Sequence, residues 1–432
     1  MTEKKSVRIR VPAITRVEGE GALALDIDNG RISRLELKIF EPPRYFEKFL
    51  EGRDPQEVID IVARICGICP VAYQVSAAQA IEQAFDITLT PWSETMRRVF
   101  YCGEWIQSHA LHIHMLAAPD FFGCDTALQM GAQHPDILRR GIALQSAGNA
   151  LLELCGARSV HPVGLRPGGF FRLPEKTAIT GAITRLEEVL PLAEALVRWT
   201  ATLPLPEADE DFVSVALHEA DRYAINRGRI KTSSGLLLTP ADHERHFSER
   251  HMPHSTALWS LLDGAPYLVG PLARLNLGHE QLPATTRALL AETGLALPSG
   301  NMFHSIIARA VEIHFAITEA IALLRDLPEA RQAPETLAPR EAVAFGCSEA
   351  PRGLLWHRYR FGDDGRVRSA RIVPPTSQNQ ARMEADLREA LQRFGLDRDE
   401  DALRHHAERV IRNYDPCISC ATHFIRLDIN RR

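Results

Sequence analysis

Arg64-Ile65-Cys66-Gly67-Ile68-Cys69-Pro70 and Asp415-Pro416-Cys417-Ile418-Ser419-Cys420-Ala421-Thr422-His423 stand near opposite ends of a 432-residue chain. Each is a dithiol turn that can bring two sulfurs to one metal ion, and a zinc ribbon would keep such pairs close together in sequence. Pairs separated by most of the polypeptide imply a chain that folds back on itself around one four-thiolate site. Pro70 can open a helix over residues 71–85, which sets Cys66 and Cys69 at a helix N-terminus. Partial positive charge and free N–H groups there favour thiolate over thiol. Sulfur count alone does not choose the metal, since four thiolates suit structural zinc as well as nickel or iron.

Away from these motifs, Cys102, Cys124, Cys155 and Cys347 fall singly in apolar stretches and read as reduced core thiols of a cytoplasmic protein. Hydrophobic residues make up 45% and charged residues 24%, with a formal charge of −5 and no long block of like charge. That balance argues against a nucleic-acid or membrane-surface partner. No apolar run reaches the roughly 18 residues needed to span a bilayer, and the N-terminus shows no apolar signal core.

Residues 7–11, 21–28 and 32–40 alternate like strands, and Asp28-Asn29-Gly30 is a hairpin turn. Asp54-Pro55 starts a helix by cap and proline. Helical patterns follow over 92–118, 135–155, 175–203, 281–292, 303–325, 380–394 and 401–412. Residues 353–360 and 366–373 flank Gly362-Asp363-Asp364-Gly365 as a second hairpin. The stretch 204–299, rich in Pro, Gly and charge, gives no clear elements. The expected fold is α+β and predominantly helical: one domain over 1–432, with a large helical bundle core, a β-meander in the β-rich segment 1–42, and a C-terminal β-hairpin.

Five motifs occur in order: Ile14-Thr15-Arg16-Val17-Glu18-Gly19-Glu20-Gly21; Arg44-Tyr45-Phe46-Glu47 ahead of Gly52-Arg53-Asp54-Pro55; the first dithiol turn; Glu349-Ala350-Pro351-Arg352-Gly353; and the second dithiol turn. Together, from residue 14 to 423, they resemble the large, catalytic subunit of nickel–iron hydrogenases. The wording is most similar to the cytoplasmic bidirectional NAD(P)-linked and sulfhydrogenase types.

The resemblance implies that Cys66 and Cys417 are terminal nickel ligands, and that Cys69 and Cys420 bridge nickel to an iron carrying carbon monoxide and cyanide. It implies that Glu18 relays a proton from Cys417, a task suited to a buried carboxylate beside a thiol. Arg352 and Asp415 would form a polar canopy over the open position, where a guanidinium suits anionic ligands. Thr376, in a loop at 374–376, would offer cyanide a donor. Glu47, the backbone at Ile372 and His423 would hold Mg2+ or Fe2+, a hard ion that seeks oxygen. Without the resemblance, Glu18, Glu47 and Arg352 read as surface charges. His109, His112 and His114 share a helical spacing that could bind metal but reads as core hydrogen bonding. His161-Pro162, ahead of Gly164 and Gly168-Gly169, resembles a family loop near the site. Uptake enzymes of the family carry an aspartate just before the histidine matching His109; Ser108 stands here, which removes one carboxylate from the canopy.

The implied reaction is reversible heterolytic cleavage of dihydrogen. No cysteine pattern for iron–sulfur clusters and no dinucleotide glycine fingerprint is present. Electrons would pass to an iron–sulfur small subunit, then through flavin and iron–sulfur diaphorase-type subunits to NAD(P) or another soluble acceptor. Nickel-insertion chaperones and a maturation endopeptidase would act on the chain, the latter removing 424–432. The rival readings are a zinc-stapled, non-catalytic scaffold of a redox complex and a hydrogen sensor.

Overall fold

A computed structural model describes residues 6–331, 333 and 337–422. Three antiparallel strands form the expected N-terminal meander: β1 (Ser6–Val11), β2 (Gly21–Asp28) and β3 (Arg31–Ile39). The inward residues of β2, Leu23, Leu25 and Ile27, pack on a core shared with Leu387, Leu391 and Leu403. After β3 come two short helices, α1 (Phe46–Phe49) and α2 (Pro55–Val62). Asp54 caps α2 by accepting the Gln56 and Glu57 N–H groups at 3.0 Å, and Glu57 answers on the Asp54 N–H at 3.2 Å. This reciprocal capping is what the Asp54-Pro55-Gln56-Glu57 sequence encodes.

Two long helices build the middle of the molecule. α3 (Pro70–Ala84) is buried around nearly its whole circumference. It lies against the strand Ala342–Ala350 so closely that a Cβ on Gly346 would sit 1.8 Å from the Ser76 carbonyl oxygen. α4 (Pro91–Leu111) packs on the Pro135–Gly156 helix, where a Cβ on Gly148 would lie 2.6 Å from the Gln107 nitrogen. The Ser305–Arg325 helix crosses α4 and the Lys176–Ala201 helix. These elements share the largest apolar core, and all four motif cysteines belong to it.

Several expectations need correction. The helix expected over 92–118 ends at Leu111 and widens into a π-helical turn, His112–Ala117, followed by a 3-10 turn, Ala118–Phe121. Pro119 lacks the N–H that would continue the ladder, and π turns are frequent at functional sites. The helix expected from 380 starts at Pro375, so Thr376 lies in a helix first turn rather than a loop. Pro374-Pro375 reads as a breaker, yet proline at the first helical position is pre-set for the helix. The helix expected from 281 starts at Ala284, after a 3-10 turn at His279–Gln281. The C-terminal hairpin, Gly353–Phe361 with Val367–Val373, gains a third strand, Ala342–Ala350. That strand is made of Ala, Gly, Ser and Cys among others, a composition with weak strand preference.

The unreadable stretch 204–299 contains short strands. Val213–His218, Arg229–Thr232, Leu237–Leu238 and Tyr267–Leu268 make one sheet, and Phe247–His251 pairs with Leu258–Leu262. Short strands leave too little alternation to detect. Among the described residues, no helix is long and apolar enough to cross a membrane.

Candidate metal centre

The chain does fold back on itself. The Sγ atoms of Cys66, Cys69, Cys417 and Cys420 all lie within 4.8 Å of one another, and all four residues are buried. None is in a disulfide, and the Cys66 and Cys417 sulfurs are 3.4 Å apart. Burial pushes thiols up. At Cys66 that effect is outweighed by bonds from the Cys417, Cys420 and Cys69 thiols and by the Arg352 charge, which bring it well below the ordinary range. Burial and the neighbouring sulfurs hold Cys417 well above that range, and Cys420 is raised as well. Four buried thiols share one nearby guanidinium, Arg352, so a set of thiolates there calls for a cation. Four soft donors converging in a buried pocket fit a soft transition-metal centre.

The first loop rests on α3. Cys66 Sγ accepts the Ile68 and Cys69 N–H groups at 3.3 Å each. The free N–H groups expected at the start of α3 are taken: Val71 and Ala72 donate to the buried carboxylate of Glu104 at 2.6 and 3.1 Å. The thiolate-favouring donors are thus those of the loop itself. Gln107 donates to the Ile68 carbonyl at 2.6 Å and fixes the loop from α4.

The second loop sits on the N-terminal motif. Ile418 N–H donates to the Glu18 carbonyl at 2.9 Å, and Glu18 and Cys417 form an isolated parallel bridge. The Glu18 carboxylate accepts from the Cys417 thiol and from the Ser419 N–H, both at 3.1 Å. Thr376 Oγ1 accepts the Cys417 N–H at 3.0 Å from the first turn of its helix. Arg44 joins the two loops, donating to the Ile65 carbonyl at 2.7 Å and to the Ser419 carbonyl.

Arg352 occupies a two-residue turn between the strands Ala342–Ala350 and Gly353–Phe361. It is buried beside Asp415, donating from Nε to the Asp415 carbonyl at 2.7 Å and from Nη2 to the carboxylate at 3.0 Å. Glu47, on α1, accepts the Ile372 N–H at 2.8 Å. Burial pushes this carboxyl up to about 8, against the lowering effect of that bond. A buried carboxyl held uncharged at neutral pH becomes a strong ligand once a cation arrives. His423 lies outside the described residues.

Three residues in the left-handed region stand two positions ahead of site residues: Arg16 (φ 59) before Glu18, Tyr45 (φ 57) before Glu47, and Asp415 (φ 52) before Cys417. Non-glycine residues rarely adopt that conformation, and it clusters at functional sites. Aspartate enters that region more readily than most residues, whereas Arg16 and Tyr45 carry no sign of it in the sequence.

The histidines use their ring nitrogens in core bonds: His109 to Glu312 at 2.9 Å, His112 to the Arg412 carbonyl at 2.8 Å and His114 to the Ala110 carbonyl at 2.9 Å. His161 bonds the Ala63 carbonyl at 2.7 Å, which docks the His161-Pro162 loop behind α2. Arg44 stands in one of the five motifs without a role of its own, and Glu104 and Gln107 stand in none. Glu104 had one detectable signal, a carboxylate on a helix without an apparent solvent face.

The sequence profile of the family described as Nickel-dependent hydrogenase matches residues 44–153 and 259–423. The chain is 31% identical to sulfhydrogenase 2 subunit alpha of Pyrococcus furiosus, over 97% of this chain and 100% of that one. It is 27% identical to the beta subunit of the NAD-reducing hydrogenase HoxS of Cupriavidus necator, over 97% of this chain and 95% of that one. A solved NAD+-reducing [NiFe]-hydrogenase, in its H2-reduced state, superposes with a TM-score of 0.87 at 28% identity, over 98% of this chain and 100% of that chain.

Proposed function

We propose a division of labour among the site residues from one premise: the chain belongs to the nickel-dependent hydrogenase family, as the large, catalytic subunit of a nickel–iron enzyme. The observation that carries the reading is the cluster of four buried sulfurs with Glu18 hydrogen-bonded to one of them.

In this reading Cys66, Cys69, Cys417 and Cys420 would hold nickel, with Cys69 and Cys420 also serving iron. A nickel–iron centre with carbon monoxide and cyanide on iron supplies the Lewis acidity for reversible heterolytic cleavage of dihydrogen to protons and electrons. The protein's task is to take the proton and keep the site dry. Glu18 is 3.1 Å from Cys417 Sγ, within hydrogen-bond reach for receiving that proton and passing it outward. Arg352, fixed on Asp415, presents a delocalised cation to anionic ligands. Thr376 accepts from the Cys417 backbone, and its hydroxyl proton remains to donate to cyanide. Glu47, the Ile372 backbone and His423 would hold magnesium or ferrous ion, supported by the uncharged state that burial favours at Glu47.

Among the described residues the four-cysteine group is the one metal-type cluster of His, Cys, Asp and Glu. Electrons therefore leave through a partner, in our reading an iron–sulfur small subunit. Flavin-bearing diaphorase-type subunits would carry them to NAD(P) or a related soluble acceptor, by analogy with the NAD-reducing relatives. We further read residues 1–432 as one cytoplasmic domain, loaded by nickel-insertion chaperones and trimmed by an endopeptidase after His423.

The test is Glu18→Gln in the co-expressed, mature complex. Nickel and iron content should be retained while hydrogen turnover falls roughly 100-fold or more, the usual weight of a positioned acid–base group. Unchanged turnover in that variant would remove Glu18 from the proton path.

A further inference from the structure

Arg274 lies in the Pro271–Gly278 helix, buried and remote in sequence from every motif. Its guanidinium binds the turn that carries Arg352. Nη1 donates to the Glu349 carboxylate and to the Ala350 carbonyl, both at 3.0 Å, and Nη2 donates to the Pro351 carbonyl at 2.9 Å. Nε and Nη2 form a bidentate pair with Glu312, at 2.7 Å each. One side chain thus fixes three consecutive residues and ends immediately before Arg352.

The surroundings hold Arg274 in turn. Tyr223 and His109 bond the same Glu312 carboxylate at 2.8 and 2.9 Å. The Arg274 guanidinium lies 4.4 Å from the centre of the Trp105 ring, and Trp105 Nε1 donates to the Glu349 carbonyl at 2.9 Å. The helix that bears Arg274 is braced against the same turn: a Cβ on Gly270 would lie 2.9 Å from the Arg352 carbonyl oxygen, and one on Gly353 would lie 2.8 Å from the Gly270 nitrogen. Backbone contacts this close transmit a shift at Arg274 directly to Arg352.

We infer that Arg274 is a positioning residue for hydrogen cleavage: with Glu312, Glu349 and Trp105 it sets the height and angle at which Arg352 stands over the sulfur pocket. The inference rests on the reading of Arg352 given above. Only a planar fork can serve the carboxylates and both carbonyls at once. A lysine keeps the charge that the two buried carboxylates need but reaches fewer acceptors in less fixed directions. The arrangement also accounts for His109, which anchors the far end of this column instead of binding metal.

The experiment compares Arg274→Lys, Arg352→Lys and the double variant, each in the mature complex. Metal content, melting temperature of the metal-free chain, hydrogen turnover and infrared bands of iron-bound carbon monoxide and cyanide are read for each. Arg274→Lys should keep nickel and iron, lose roughly 10- to 100-fold in turnover, and shift the infrared bands in the same sense as Arg352→Lys. The double variant should be no slower than Arg352→Lys alone. Lower melting temperature with unshifted bands and full turnover per nickel would reduce Arg274 to a stabilising residue and overturn the inference. If Arg352→Lys itself is fully active, the reading of Arg352 fails first, and the two failures remain distinct. Should Arg274→Lys not fold, Tyr223→Phe, which deletes one bond to Glu312, replaces it: a band shift supports the inference, and unshifted bands overturn it.

Discussion

The two dithiol loops have the same CxxC spacing and opposite mechanical situations. Cys66 and Cys69 lead into α3, a 15-residue helix buried on nearly all sides and pressed against the Ala342–Ala350 strand. Its N-terminus is capped by a buried carboxylate, Glu104, and its loop is tied to α4 by Gln107. Cys417 lies just ahead of, and Cys420 within, a short 3-10 turn, Ser419–Thr422; the loop donates to Glu18 and Thr376 and accepts from Arg44. One half of the pocket is set by the core. The other shares that core through Cys417 and Cys420 but is oriented by polar contacts from segments remote in sequence, each worth about 1 kcal/mol net, or about 1.5–3 where a charge takes part.

The largest effect is expected from damage to the rigid half. Gly346→Ala places a methyl group where the Ser76 carbonyl already sits, so α3 and its strand must separate. We expect a loss of about 3 kcal/mol, read as a lower urea midpoint for the metal-free chain, with both loops affected. An unchanged midpoint would show that α3 can move freely.

A smaller and more selective effect is expected from Arg44→Met. It removes the donors that link the Ile65 and Ser419 carbonyls while leaving α3 intact. The fold should remain, and nickel should leave roughly tenfold faster or more under a chelator, in line with the loss of these two charged hydrogen bonds. A lowered urea midpoint with unchanged nickel loss would place Arg44 on the rigid side, with the two loops held alike.

The same asymmetry governs what the sequence revealed. Local signals were legible: the capping box at Asp54, the Asn29-Gly30 turn, proline at the start of α3 and the two CxxC spacings. The residues that join the loops were not. Arg44 acts on a carbonyl 375 positions away, and Arg274 acts on a turn some 75 positions away, distances at which a single sequence has no periodicity to offer. The strand at Ala342–Ala350 escaped notice because its small residues are chosen for close approach to α3, not for strand preference. Thr376 was placed near the site but in the wrong element, since two prolines read as a break when the second in fact opens a helix.

The central claim is that these four sulfurs hold a nickel–iron centre. Its most direct test is an infrared spectrum of the anaerobically purified, mature complex in the window where metal-bound carbon monoxide and cyanide absorb and protein is nearly silent. One carbonyl band and two cyanide bands are expected, lost in Cys417→Ser. A blank spectrum from chain that ends at His423 and contains stoichiometric zinc would contradict that claim.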